Sequence, residues 1–353
     1  MHVHLKQPSE LSSEELTVWR NLIAADAQFS SPYFNPQFTL DVATVRNDVE
    51  VAVIESDGQT AGFFPFQRAG RTAKPVGGQL SDAHGFVHDG SIDWTWPELL
   101  QKCELAAFDF HYLIGSQTPD TKWQAESSPA AVMNLAGGFD EYAKRLESKS
   151  CVKQTDRKGR KLGRERGELR FEWNCTDASV FDTLTKWKSQ QYQNSGIADV
   201  FSFDWTIALL KQIQSHQASD YEGLMSVLYV GDSPAAIHFG LRSGNVLHQW
   251  FPAYDPQLQQ HSPGIIHLLE MARHAENNGV ERIDLGRICH YKSRVATHCV
   301  GVSEGSVDLR PVTRMLRNGY QQTFEWLRHS PLRTVARIPG RMLRKLAERK
   351  QFQ

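Results

Sequence analysis

The chain has 353 residues, of which 40% are hydrophobic and 22% are charged, and its formal net charge is −1. This length is too great for one ordinary hydrophobic core and predicts two domains. The composition is that of a soluble globular protein, and it excludes a membrane-spanning one because no apolar run approaches the ~20 residues that cross a bilayer.

The small net charge conceals two basic segments. Residues 310–353 carry eleven basic and two acidic side chains, and residues 144–170 carry eleven and four. Such a segment can bind nucleic acid, an anionic membrane or an acidic partner, or it can form a solvated helix face. The internal segment lacks the interleaved aromatic residues of single-strand binding, so we interpret it as a solvated face and expect no nucleic-acid partner.

The cysteines and the N-terminus predict a compartment. Five cysteines are scattered without close pairs, and the first residues contain no apolar signal segment. These features favour reduced thiols in a cytoplasmic protein. No Cys/His spacing is typical of zinc, so no metal is expected.

The first half combines helices with one clear hairpin. Two apolar runs flank Asp57-Gly58, the strongest short-range signal for a β-hairpin. A Gly/Asp/His-rich loop containing Ser81-Asp82 follows this hairpin. The remaining elements are predicted in chain order as helices at 11–25 and 36–46, a short helix at 96–105, a strand at 108–115 and one basic helix at 139–166.

The second half repeats this order. Predicted helices at 178–193 and 204–214 precede a hairpin at 225–244. Four hairpin positions recur at a constant offset of 174: Val53, Ala61, Arg68 and Gly70 match Val227, Ala235, Arg242 and Gly244. The repeat predicts a duplicated domain. We place the first unit at 1–150, the second at 151–310 and a basic helical tail at 311–353.

Only the second half continues with a strand at 246–253 and a helix that begins at Ser262-Pro263-Gly264. Pro263 suits the first helical turn, Ser262 can cap it, and Gly264 leaves the backbone open to a close approach. The unpaired N–H groups of a first turn attract anions, so this helix start predicts a phosphate site. An ordinary helix start without a ligand is the alternative.

Ordered strings in the second half carry a family resemblance. They are Trp250-Phe251-Pro252-Ala253-Tyr254, Ser262-Pro263-Gly264, Asp284-Leu285-Gly286-Arg287 and Tyr291-Lys292. With the order of elements, they resemble the GNAT acyltransferase fold and, within it, the acetyltransferases associated with bacterial cellulose biosynthesis (CelD-like). That family is related to Fem-type aminoacyl transferases, which carry two GNAT-like domains. The resemblance covers residues 150–305 well and the first half weakly.

The resemblance implies an α/β fold of two tandem GNAT-like domains, with mixed central sheets flanked by helices. It implies acyl-CoA as co-substrate, with its pyrophosphate on the helix that begins at Pro263 and its thioester along the strand at 247–253. The first domain lacks this helix start and is expected to be degenerate for cofactor binding. The implied cofactor-binding residues are Phe251, Ala253, Tyr254, Ser262, Gly264, Ile265, Ile266, Arg287 and Tyr291.

Three side chains are candidates for catalysis. His238 is in mid-strand and could act as a general base, since histidine titrates near neutral pH; a buried core histidine is the alternative, and His248 competes for the role. Asp284 lies at a strand end, where α/β sites collect ligands. Lys292 could bind phosphate or a developing oxyanion, as the resemblance suggests.

Acceptor binding is predicted for Asp82 and His84, which could face the second domain across a cleft; a plain turn is the alternative. The sequence thus predicts transfer of an acyl group, with acetyl expected, from acyl-CoA to a sugar or an envelope polysaccharide precursor. A Fem-like, tRNA-dependent transferase and a non-catalytic scaffold remain alternatives. The basic tail could bind an anionic inner-membrane surface or an envelope-synthesis protein, or pack on the acidic body.

Overall fold

The computed structural model describes residues 1–316, except 121, 122, 124, 148, 149 and 219. The predicted basic tail at 311–353 therefore lies almost wholly outside the described residues, and its role stays a prediction. None of the helices in the described part of the chain is both long and apolar enough to cross a bilayer.

The predicted elements of the first half are present. Ser12 and Glu15 form a capping box before α1, and Asn35 caps α2, whose first residue is Pro36. Asp57 and Gly58 both adopt positive φ, as a tight hairpin turn requires. The elements are β1 (His2–Lys6), α1 (Ser13–Ala25), α2 (Pro36–Val45), β2 (Val49–Ser56), β3 (Gln59–Ala69), β4 (Thr72–Lys74), β5 (Val87–His88), α3 (Trp96–Lys102), β6 (Ala107–Ile114) and β7 (Glu126–Asn134).

The second half begins with a correction. The basic segment predicted as one helix at 139–166 forms two helices, because Leu146 takes an extended conformation and buries its side chain in the core. The elements are α4 (Gly138–Arg145), α5 (Ser150–Arg166), β8 (Leu169–Glu172), α6 (Ala178–Ser195), α7 (Asp204–Gln214), β9 (Gln217–Ala218), β10 (Tyr221–Val230), β11 (Ser233–Ser243), β12 (Val246–Tyr254), α8 (Pro263–His274), β13 (Arg282–Arg287) and β14 (His298–Asp308).

The fourteen strands of the described residues form one mixed sheet. Its main path runs β1-β2-β3-β4-β6-β14-β7-β13-β12-β11-β10-β8. Strand β14, from the second half, lies between β6 and β7 of the first half, and β7 lies between β14 and β13. The two halves therefore exchange a strand at the centre, and the sheet continues across the predicted boundary.

The repeat extends beyond the predicted hairpin. At the offset of 174, β3 coincides with β11 and β7 falls within β14. Tyr112 of β6 and Gly286 of β13 are also equivalent, and both adopt positive φ beside a register shift. The two halves thus share one order of elements, whereas the boundary at residue 150 stays a prediction.

The helices pack on two faces of the sheet. Helices α1, α2, α6 and α7 share one hydrophobic core on one face, whereas α3 and α8 cover the opposite face. The halves are also joined by Asn35, whose Nδ2 donates to the Asp220 carbonyl at 3.1 Å, and by His216 and Asp41 at 2.8 Å. This shared core fixes the position of α1 and α2 relative to α6 and α7.

Candidate active site

A gap between β12 and β13 defines the site. These parallel strands pair only between residues 246–248 and 282–284, and then diverge. Beyond His248, the edge of β12 that faces β13 has no partner strand among the described residues, so its main-chain polar groups face the gap. The opposite edge of β12, which pairs with β11, has an irregular register at the same level, because Phe239 pairs with Phe251 whereas Leu241 pairs with His248. One β11 residue thus opposes two of β12, which is a β-bulge.

Gly240 is the β11 residue opposite this bulge, and its position explains the bulge. A Cβ atom there would lie 2.4 Å from His238 Cε1 and 2.7 Å from the His248 carbonyl oxygen. Only glycine allows the two strands to approach this closely. The bulge is therefore built into the sequence at the narrow end of the gap.

A loop of the first half enters the narrow end of the gap. Trp250 Nε1 donates to the Leu80 carbonyl at 2.8 Å, and His248 Nε2 pairs with Asp82 Oδ2 at 3.1 Å. A Cβ atom on Gly286 would lie 2.8 Å from the same Asp82 oxygen, so this glycine makes room for the carboxylate. Asp82 and His248, from opposite halves, thus form a hydrogen-bonded pair where β12 and β13 part.

A cavity of about 560 Å³ opens beside this pair, over the central strands β6, β7, β13 and β14. Both Asp82 and His248 line it. Its other polar lining residues are Gln28, Ser31, Ser116, Thr118, Ser127, Arg282 and Asp284. The rest of the wall is made of glycines and apolar side chains: Ala27, Ala83, Ile114, Gly115, Ala130, Ala131, Val132, Gly286, Val300, Gly301 and Val302. The polar groups therefore lie within a largely apolar wall, where they can orient a ligand through hydrogen bonds.

Asp284, predicted to be catalytic, binds Arg282. Arg282 donates from Nε at 2.6 Å and from Nη2 at 3.0 Å to the two carboxylate oxygens, and from Nη1 to Ser30 Oγ at 2.9 Å. A two-bond fork of this kind holds both groups in place. Asp284 therefore positions the arginine in the cavity wall, and we do not retain it as a proton-transfer group.

His238, predicted as the general base, lies in the core rather than in the cavity wall. Its side chain is fully buried. Ser226 Oγ lies 3.3 Å from His238 Nδ1 and 3.1 Å from His267 Nε2, and it therefore links the two rings. Burial and the neighbouring His267 and His248 hold the pKa of His238 well below its usual value. The alternative of a core histidine fits these contacts, and His248 takes the place of His238 in the candidate site.

Three tyrosines lie within the electrostatic influence of Asp82: Tyr33 is buried, and Tyr112 and Tyr192 are partly buried. Burial is the main reason that the pKa values of Tyr33, Tyr112 and Tyr192 are raised, and the Asp82 carboxylate raises each further. Tyr112 adopts φ 53, which is strained for a bulky residue, and its hydroxyl accepts from the Arg287 N–H at 3.3 Å. Sequence reasoning missed these residues, because their convergence depends on contacts between the halves.

His84, predicted to bind an acceptor with Asp82, is less accessible. It is buried next to His111, with ring centroids 5.4 Å apart, and neither ring nitrogen has a hydrogen-bond partner. Burial, followed by the charge of His111, lowers the pKa of His84 well below its usual value. Of the two predicted acceptor residues, only Asp82 lines the cavity.

The end of β13 and the segment after it contain three predicted residues. Arg287 forms an ion pair with Glu304 of β14, and Tyr291 is partly exposed. Lys292 Nζ donates to the Arg287 carbonyl at 3.2 Å. Burial lowers the pKa of Lys292, although the Asp82 carboxylate acts in the opposite direction.

Lys188 of α6 is a functional candidate that sequence reasoning missed. It is 8% exposed, and its Nζ donates to Gln191 Oε1 at 2.9 Å and lies 4.9 Å from the Tyr192 ring centroid. Burial, followed by the charge of Lys292, lowers the pKa of Lys188 to about 8. A signal was present, because Lys188 continues the helical spacing of Phe181 and Leu184 on the apolar face of α6.

The start of α8 differs from the prediction in one respect. Ser262 adopts φ 56 and makes no capping bond; instead its Oγ accepts from Lys158 Nζ of α5 at 2.8 Å. The N–H groups of Ile265 and Ile266 both donate to the Ser262 carbonyl, and Pro263 has no N–H. Gly264 is left as the open donor of the first turn within the described residues.

The predicted cofactor residues fall into three groups. Tyr254, Ser262 and Gly264 lie together, since a Gly264 Cβ would be 3.6 Å from Tyr254 Cδ1, and Ile265 is half-buried beside them. Phe251, Ala253 and Ile266 are buried core residues. Arg287 is the last residue of β13, and Tyr291 lies in the segment that follows it.

Residues 149–293 match the sequence profile of the family described as acetyltransferase (GNAT) domain. No curated protein matches the chain significantly. The matched segment runs from the start of α5 to the segment after β13, and it contains the gap and the start of α8.

Solved structures show the same fold at low sequence identity. One is the C-terminal domain of a protein assigned as a lysylphosphatidylglycerol synthetase from Agrobacterium fabrum, with TM-score 0.55, 12% identity and coverage of 86% of this chain and 95% of that one. A tandem GNAT protein from the clavulanic acid biosynthesis pathway has TM-score 0.52, 11% identity and coverage of 88% and 99%. FemX has TM-score 0.52, 10% identity and coverage of 76% and 89%.

These comparisons define the class of protein. The chain has the fold of a tandem GNAT protein, which confirms the predicted α/β fold of two GNAT-like halves, and residues 149–293 match the profile of a GNAT acetyltransferase domain. The finer resemblance to the cellulose-associated family stays a prediction.

Proposed function

We propose that the protein transfers an acyl group, acetyl in the first instance, from acyl-CoA to a hydroxyl or amino group of a sugar or an envelope polysaccharide precursor. The GNAT acetyltransferase domain supports the transferase class. The observation that carries the proposal is the Asp82–His248 pair, which stands at the narrow end of the β12/β13 gap and lines the cavity.

His248 is the proposed general base. Its Nε2–H donates to Asp82, which favours the tautomer with an unprotonated Nδ1. Asp82 orients the ring, and His248 takes the proton of the acceptor hydroxyl or amine. A bond then forms between the acceptor heteroatom and the acyl carbon, the thioester C–S bond breaks, and the thiol leaves with a proton.

The residues around the gap fit an acyl-CoA donor in two ways. The unpaired edge of β12 beyond His248 offers main-chain N–H groups that can polarise a carbonyl. At the far end, Gly264 leaves an approachable helix start, and Lys158 adds a positive charge beside Ser262. When bound, acyl-CoA supplies the activated acyl group; the chain's own residues orient it and remove the acceptor proton.

The cavity supports the choice of a polar acceptor. Its wall includes Ser31, Ser116, Thr118 and Ser127 together with the fixed guanidinium of Arg282. These groups offer donors and acceptors to a hydroxyl-rich molecule such as a sugar. The tandem neighbours FemX and the clavulanic acid pathway protein share the fold alone, so the acceptor class rests on the cavity.

The test measures thiol release from acetyl-CoA with a panel of amino sugars, nucleotide sugars and oligosaccharides. We expect an acceptor-dependent rate, and we expect His248→Gln and Asp82→Asn each to lower kcat by about 10²–10⁴-fold, because both remove the oriented base. His2→Gln changes an exposed histidine far from the site and serves as the matched control. Unchanged kcat in His248→Gln, in a variant that binds CoA normally, would rule out this mechanism.

A binding function without transfer is the second candidate. The start of α8 favours it, because two of its first N–H groups already donate to the Ser262 carbonyl. In that case coenzyme A would not raise the melting temperature, whereas an acceptor-like sugar would. The same panel, measured by thermal shift, separates the two candidates.

A further inference from the structure

The first half contains a counterpart of the β12/β13 gap, and its own chain fills it. At the offset of 174, β4 corresponds to the start of β12 and β6 to β13, and β4 and β6 likewise pair in parallel, over only two positions. Beyond this pairing, His84 lies against β6: its N–H donates to the Tyr112 carbonyl at 3.3 Å, and its carbonyl accepts from the Ile114 N–H at 3.1 Å. Residues 81–86, which we call the filling segment, therefore take the place that stays open in the second half.

Gln117 holds the far end of the filling segment. Its Oε1 accepts from the Phe86 N–H at 2.8 Å, and its Nε2 donates to the Phe86 carbonyl at 2.6 Å. These are the two main-chain bonds that a residue of a neighbouring strand would make, so one side chain takes the place of a strand. Gly85 permits the approach, because a Cβ atom there would lie 2.5 Å from Gln117 Oε1. Gln117 itself is buried, and its carbonyl accepts from Trp96 Nε1 at 2.8 Å.

The same glutamine joins two walls of the cavity. Ser116 and Thr118, its neighbours in sequence, line the cavity, as does Asp82 of the filling segment. Gln117, between them, is not part of the wall and bonds to Phe86 instead. One side chain thus fixes the segment that carries the carboxylate relative to the turn that carries the two hydroxyl groups.

We propose that Gln117 is a positioning residue of the candidate site, which presents Asp82 to His248 through the filling segment. This inference deepens the proposed function and rests on it. The Asp82 side chain is short, so its carboxylate follows the position of its main chain closely. Without the Gln117 amide, the buried main chain of Phe86 loses two partners, and the segment would shift to regain them. A displacement of ~1 Å at an oriented catalytic group can cost ~10²-fold in rate.

The experiment compares Gln117→Met with Gln67→Met in the full chain. Methionine keeps the length of the side chain and removes the amide. Gln67 is a matched control, because it is 7% exposed against 6% for Gln117, and its Nε2 donates to Asp48, away from the cavity. We expect Gln117→Met to lower kcat about 10–100-fold and to raise KM for the acceptor, with KM for acetyl-CoA unchanged. We expect Gln67→Met to change none of these values.

A double-mutant cycle separates positioning from a general loss of structure. If Gln117 acts through Asp82, combining Gln117→Met with Asp82→Ala gives the kcat of Asp82→Ala alone, whereas independent effects multiply. Gln117→Asn keeps the amide but shortens its reach by one C–C bond, ~1.5 Å, and replaces Gln117→Met in the cycle if melting curves show that the latter does not fold. Multiplying effects, or an unchanged kcat in the variant used, overturn the proposal.

A measurement without acyl transfer keeps this inference separate from the proposed function. Nitrogen NMR of protein with isotope-labelled histidine reports which ring nitrogen of His248 carries the proton, and His248→Gln assigns its signals. The contact with Asp82 favours the Nε2–H tautomer. We expect Gln117→Met, like Asp82→Ala, to reduce the share of that tautomer, and Gln67→Met to leave it unchanged. An unaltered tautomer in Gln117→Met overturns the positioning role, whereas absent transfer with an altered tautomer counts against the proposed reaction alone.

Discussion

At the scale of single residues, the candidate site depends on which of two neighbouring histidines faces the cavity. His238 and His248 lie on adjacent strands, and the alternation of side chains along each strand does not show which of them faces the cavity. The bulge opposite Gly240 shifts the register between them. His238 consequently bonds within the core through Ser226, whereas His248 reaches Asp82, 166 residues away in sequence.

Lys188 offers a prediction about stability. Because its pKa falls from 10.5 to about 8 in the folded protein, the unfolded chain binds more protons between these pH values. The free energy of unfolding therefore rises with pH in this window, and the cost of the buried charge is greatest below pH 8. We expect Lys188→Met to stabilise the protein by about 1–3 kcal/mol near pH 7, and by less as the pH approaches 10.5.

Urea unfolding at two pH values checks this, with Lys186→Met as control. The groups that act on Lys188 are Lys292, which opposes its protonation, and the Tyr192 ring, which contacts its ammonium. A Lys188→Met variant that is less stable than the parent near pH 7 would mean that the lysine is structural.

At the scale of elements, local sequence signals predicted the turns and helix starts that depend on neighbouring residues. Asp57-Gly58 fixed one hairpin, and the capped start of α1 followed from Ser12 and Glu15. Strands β7 and β14 escaped prediction because their pairing joins residues far apart in sequence, and β7 carries serines and a proline that weaken any strand pattern. In the site, Gly264 and Lys292 were evident from motifs and Lys188 could have been found from the helical spacing of α6, whereas the Asp82–His248 contact required the tertiary structure.

The start of α8 provides a testable prediction at the scale of elements. Gly264→Asp places a carboxylate at the first turn, where Tyr254 Cδ1 at 3.6 Å leaves room for a side chain. Because acidic residues suit a helix N-terminus, the fold should remain intact. Repulsion of the phosphates should weaken coenzyme A binding at least 10-fold in calorimetry. Gly264→Ala is the control for size, and undiminished affinity in Gly264→Asp would place the pyrophosphate elsewhere.

At the scale of the whole molecule, the exchanged strands make the halves interdependent. We expect fragments 1–150 and 151–316, expressed separately, to lack cooperative unfolding, because β7 and β14 each lose both of their partner strands. Circular dichroism melts of each fragment, compared with the full chain, provide the measurement. A sharp transition in the isolated first fragment would show that its sheet closes without β14.

The same position of β14 governs the order of events during translation. The inner edge of β6 cannot acquire its neighbour until residue 308 has left the ribosome, so the nascent first half carries an open strand edge throughout most of synthesis. An open edge of this kind is a template for pairing with other chains, and nascent-chain chaperones are the usual protection. Strand β14 therefore completes the sheet only late in translation. Slow codons before it would prolong the exposure of the β6 edge.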